Sequence, residues 1–143
     1  MLLQRIGHFF YRSRIPILPK LCNALIRFIH NSAVFSESKI GKGTTFAYGG
    51  IGVVIHKRSV IGEHCIIGSN VTLGGKSQSQ GVPTIGNGCF IATGAKILGD
   101  VRIGNNCVIG ANAVVVSDIP NNCMAAGVPA QIIKRDIEPK DYY

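Results

Sequence analysis

Four histidines supply the side chains in this 143-residue chain whose ordinary pKa, about 6.5, suits proton transfer near neutral pH. His8 and His30 lie among apolar and basic residues near the N-terminus, where a surface or interhelix role is expected. His64 stands in IGEHCI at a turn position that points to solvent. His56 differs from all three. It takes the second place of IHKRSV, where comparable stretches of this chain carry Gly or Ala. Neighbouring residues of a strand point to opposite faces, so His56 is predicted to project outward while Ile55 packs inward. An outward imidazole can accept the proton of a hydroxyl, and His56 is the predicted general base.

The elements that must hold it show in the spacing. From Val34 onward, aliphatic or aromatic residues recur at 34, 40 and 46, at 55, 61, 67 and 73, and at 85, 91, 97, 103, 109 and 115. Gly follows directly at Ile61, Ile67, Leu73, Ile85, Ile103 and Ile109, and a compact residue stands four places on at Cys65, Val71, Cys89, Ala95, Cys107 and Ala113. A period of six fits neither a helix nor a hairpin. A short strand plus a tight turn fits, and stacked units of that kind bury an aliphatic ladder that one unit cannot bury alone. The predicted fold is an all-β parallel solenoid over residues 34–135. A short helical segment precedes it in 1–33, and 136–143 form a tail.

Two places break the frame. Phe46 and Ile55 are nine residues apart, three more than one hexad, and Gly49, Gly50 and Gly52 in that stretch predict a bulge. The polar run GGKSQSQGVPT at 74–84 either fills a hexad or leaves the coil as a loop; its composition favours the loop. Ala92 and Gly110 fall in one column, with Gly74 or Gly68 below according to that choice. Such a strip of small side chains would let an extended ligand lie against backbone.

In the lead-in, 2–13 and 20–31 have the apolar spacing of short amphipathic helices, with Pro16 and Pro19 between them. Residues 1–36 carry Arg5, Arg12, Arg14, Lys20 and Arg27 and no acid. Two readings stay open: packing on the body or a neighbouring subunit, and contact with an anionic membrane surface. The net charge is +8, yet no stretch interleaves basic and aromatic residues as a nucleic-acid surface would. The cysteines Cys22, Cys65, Cys89, Cys107 and Cys123 form no CxxC pair and are predicted to be packing residues in a reducing compartment. With neither a secretion signal nor a long apolar run, the cytoplasm is the expected location.

The strings NVTLGG (70–75), IATGAKILGDVRIG (91–104), VIGANAVVVSDIP (108–120) and AAGVPAQIIK (125–134) resemble the hexapeptide-repeat acyltransferases, in the branch of the serine acetyltransferases and their short relatives from polysaccharide gene clusters. The resemblance implies a left-handed parallel β-helix, a homotrimer with sites between subunits, and acetyl-CoA as co-substrate with no metal required. It also implies two catalytic histidines, and here their positions hold Gly49 and Val82 instead. The chemistry therefore falls to His56. Gly74, Gly75, Ala92, Gly110 and Ala111 are expected along the cofactor, and Lys134 near its phosphates.

The expected reaction is acetyl transfer to a sugar hydroxyl of a surface polysaccharide or its precursor. Serine O-acetylation, N-acetylation of a sugar nucleotide and a purely structural trimeric solenoid are the alternatives. A zinc carbonic anhydrase of this fold would need three histidines, and the repeat region has only His56 and His64.

Overall fold

The computed structural model describes residues 1–77 and 80–143. Helix α1 spans Leu2–Arg12 and α2 spans Ile17–His30. Strands then come in threes, one per face of a triangular prism. The first coil holds β1 (Ala33–Val34), β2 (Lys39–Ile40) and β3 (Thr45–Phe46), and the second β4 (Val54–Ile55), β5 (Val60–Ile61) and β6 (Ile66–Ile67). The third holds β7 (Thr72–Gly74), β8 (Thr84–Ile85) and β9 (Phe90–Ile91), and the fourth β10 (Lys96–Leu98), β11 (Arg102–Ile103) and β12 (Val108–Ile109). β13 (Val114–Val115) leads to the closing hairpin of β14 (Cys123–Gly127) and β15 (Ala130–Arg135). The faces are β1-β4-β7-β10-β13, β2-β5-β8-β11 and β3-β6-β9-β12-β14-β15, parallel throughout except for the antiparallel β14–β15 pair. This is the left-handed β-helix of the hexapeptide repeat.

Each strand sends one aliphatic residue inward. Ile55, Ile61, Ile67, Leu73, Ile85, Ile91, Ile97 and Ile109 are almost fully buried, with the compact Cys65, Val71, Cys89, Ala95, Cys107 and Ala113 between their layers. At the corners after the strands of the β2-β5-β8-β11 and β3-β6-β9-β12 faces the chain turns through a left-handed residue, which favours Asn or Gly: Asn70, Asn106 and Asn112 have φ of 56, 53 and 55°. His64 occupies that same corner place at φ 53°.

Register resolves both breaks in the repeat. Lys96 pairs Val114 at the regular eighteen-residue step, whereas Val60 pairs Thr84, a step longer by one hexad. The extra length lies between Gly74 and Thr84, so this segment leaves the coil; residues 78 and 79 lie outside the described residues. The three extra residues before Ile55 form no strand bulge. They make a left-handed turn over Ala47–Gly50 at a corner, with Tyr48, Gly49 and Gly50 all at positive φ.

The helices close the open end of the first coil. Ile26 is fully buried in the same core as Val34, and Met1 and Leu3 pack against it. α1 docks through polar groups. Gln4 Nε2 donates to the Ser38 carbonyl at 3.1 Å, and His8 Nδ1 bonds the Ser36 carbonyl at 2.8 Å. Gly7 lies so close to the Ser36 hydroxyl that any side chain there would collide. Pro19 does not separate the helices as expected; it sits in the first turn of α2, where a missing N–H leaves no helical bond unmade.

Candidate functional site

The chemistry-bearing residues gather at two corners, on opposite edges of the β1-β4-β7-β10-β13 face. His56 stands at the first, directly after β4. Its amide donates to the Leu73 carbonyl at 2.9 Å, which places His56 beside Gly74 on the next coil. The ring is half-buried and outward, as its hexad position demands. Partial desolvation, helped by the charges of Arg58 and Lys57, lowers its pKa from the usual 6.5 and favours the neutral ring. The Arg58 amide donates to His56 Nδ1 at 3.2 Å, so the neutral ring in this rotamer carries its proton on Nε2.

Arg58 also ties the extruded segment to this corner. Its guanidinium donates to the Gln80 carbonyl at 2.7 Å, so Gln80 lies against the turn that carries the histidine. A hollow of about 510 Å³, lined by Tyr11, Glu37, Lys39, Lys57, Arg58 and Val60, adjoins the same turn.

The second corner follows β3, β6, β9 and β12. Ala92 and Gly110 stack here, the Ala92 amide bonding the Ile109 carbonyl at 2.9 Å, with Ala111 exposed beside them. Gly68, not Gly74, is the residue below: its amide bonds the Ile91 carbonyl, one coil before Ala92. Gly74 and Gly75 belong with His56. The expected cofactor strip is thus divided between two edges of one protomer. Lys134 lies further along, its ammonium 5.5 Å from the centre of the Tyr142 ring.

Here the structure adds a residue that spacing had set aside. His30, the last residue of α2, borders Gly49: a Cβ at Gly49 would stand 3.5 Å from His30 Nδ1. Gly49, which by resemblance stands at a histidine's position, therefore has an imidazole beside it, delivered from the helix. The one sequence signal was the helix ending two residues before the first coil, at a histidine. His8, by contrast, is consumed by Ser36, and His64 is an exposed corner residue. The thiols of Cys65, Cys89 and Cys107 are buried and donate to the carbonyls of Gly86, Gly104 and Pro120 at 3.1, 3.0 and 3.1 Å, a packing role. Among the described residues no group of three His, Cys, Asp or Glu could hold a metal ion.

A left-handed coil of hexads with outward histidines at its corners defines a class. Residues 83–117 match the family described as bacterial transferase hexapeptide (six repeats), and the chain belongs to the hexapeptide-repeat acyltransferases. Within them its relatives are serine acetyltransferases. It is 38% identical over 138 residues to that of Helicobacter pylori (strain J99), covering 95% of this chain and 80% of the relative. It is 35% identical over 143 residues to that of Synechococcus elongatus, covering 96% of this chain and 58% of the relative. A solved serine acetyltransferase in complex with CoA superimposes with a TM-score of 0.83 at 34% identity, covering 92% of this chain and 54% of that one. The chain thus spans little more than half of two of these three proteins. These matches overturn the expectation of a surface polysaccharide as acceptor, because the relatives carry the serine activity that had stood as the alternative.

Proposed function

We propose that this chain transfers the acetyl group of acetyl-CoA to the hydroxyl of serine, at sites completed between neighbouring protomers of a homotrimer. The observation that carries the reading is the match to a serine acetyltransferase over 80% of that relative's length, on a chain that carries an outward histidine of its own at a coil corner. The CoA-bound relative supports the co-substrate.

The positions of the residues support the trimer. His56, Gly74 and Gly75 lie on one edge of a face, and His30, Gly49, Ala92 and Gly110 on the other. A closed threefold ring joins unlike edges, so each contact brings one corner of each kind together.

In that cleft His56 removes the serine hydroxyl proton, the oxygen attacks the thioester carbonyl, and the C–S bond breaks to release the CoA thiolate, which receives the proton. A half-turn of the His56 ring turns the Nδ1 lone pair from the Arg58 amide toward the acceptor. It sacrifices one exposed hydrogen bond, at about 0.5–1.5 kcal/mol. A backbone N–H of the Gly74–Gly75 segment faces the oxyanion. His30 supplies a second imidazole from across the interface, holding the acceptor. Ala92, Gly110 and Ala111 leave room for the extended arm of the co-substrate, and Lys134 offers a cation to its phosphates.

The test is thiol release from acetyl-CoA with serine as acceptor, comparing the native protein with His56→Ala. Full activity in the variant would remove His56 from the mechanism; no turnover by the native protein would remove serine.

A further inference from the structure

An amphipathic helix docked on a β-helix is expected to turn its apolar stripe inward. In this chain α1 does the reverse, and α2 carries apolar residues on its outer side as well as its inner one. α1 faces the first coil with Gln4 and Gly7, while Leu2, Ile6 and Phe9 form a stripe on the far side. α2 buries Pro19, Cys22 and Ile26, while Leu21, Leu25 and Phe28 lie roughly opposite them at 100° per residue. Phe9 is 66% exposed and Phe28 91%. The helices pack side by side and leave both stripes exposed. Clustered exposed apolar side chains of this size mark a binding surface.

Its charge states what it binds. Five cations and no acid occur in residues 1–36. Arg5 is committed to the Gly41 and Thr44 carbonyls. Arg12, Arg14, Lys20 and Arg27 are exposed on these helices and the turn between them; Glu37 lines a hollow with the first three, and among the described residues none of the four forms an ion pair. A second copy docking here would press two positive rims together. An anionic bilayer satisfies both features, taking the apolar stripes at the acyl boundary and the cations at the phosphates. Among the described residues no helix is long and apolar enough to cross a membrane, so the contact is in the plane of the surface.

We infer that the α1–α2 face is a peripheral membrane-binding surface for anionic lipid. The inference is independent of the acetyl-transfer reading, since none of its residues belongs to either corner.

The experiment is sedimentation of the full chain with vesicles of phosphatidylcholine alone and of phosphatidylcholine with phosphatidylglycerol. Binding about tenfold tighter to the anionic vesicles, weakening with salt, is expected. Phe9→Ser with Phe28→Ser, both exposed, should reduce it at least about tenfold, and Arg12→Glu with Lys20→Glu should do the same. Circular dichroism and oligomeric mass should stay as in the native protein. No binding to anionic vesicles overturns the inference, as does unchanged binding by the Phe9/Phe28 variant. A fall in oligomeric mass in that variant would make the face a protein interface and overturn it equally.

Discussion

His30 Nδ1 lies 3.5 Å from where a Cβ of Gly49 would stand, although the two are nineteen positions apart in the chain. A helix C-terminus and a coil corner thus put an imidazole beside a glycine that occupies a histidine's position by resemblance. If His30 works in the transfer, His30→Ala should lower kcat/KM about 10²–10⁴-fold at unchanged circular dichroism. Steady-state kinetics with serine and acetyl-CoA reads this. A loss of less than threefold would return His30 to a packing role.

The pH dependence should carry the mark of His56. A general base must be neutral, so activity falls on the acid side as the ring gains its proton. Desolvation first, then Arg58 and Lys57, hold its pKa below 6.5, so the acid limb of kcat/KM should lie below that value. Arg58→Gln removes part of the cationic contribution and should move the limb upward. A limb that ignores Arg58→Gln would assign the titration to another group.

His64 makes the opposite prediction. It holds a left-handed corner at φ 53° where other corners use Asn, so His64→Asn should keep full activity and leave stability equal or slightly raised. A steep loss of kcat would make His64 part of the site.

The repeat was legible because its physics is local. Ile85, Ile91, Ile97, Ile103 and Ile109 mark strands by a fixed step, and each is buried where that step puts it. The outward place of His56 followed from the same alternation. What could not be read depends on contacts distant in sequence. Whether Gly74 or Gly68 lies under Ala92 turned on the Val60–Thr84 pairing across the extruded segment. The helices were visible, but their orientation was not: apolar spacing predicts a stripe without saying that Gln4, His8 and Gly7 would take the inner side. His30 was set aside because its role depends on where α2 ends in space. The acceptor was misread because the missing histidines, at Gly49 and Val82, outweighed the likeness of the coil itself.

The core should behave as a stack rather than as independent rungs. Ile97 is fully buried between the layers of Leu73 and Val115, so Ile97→Ala should cost about 2–5 kcal/mol and lower the Tm in thermal denaturation. A change below about 0.5 kcal/mol would contradict the packing described.

The central claim is that one site takes His56 from one protomer and His30 from the next. Mixing subunits tests it most directly. His56→Ala and His30→Ala proteins, each inactive alone, are unfolded together at equal amounts and refolded. In every mixed ring of three, one of the three contacts pairs an intact His56 with an intact His30. Random assembly should therefore restore about a quarter of native activity. Recovery to that level is the predicted result; a mixture that stays as inactive as either variant would contradict the shared site.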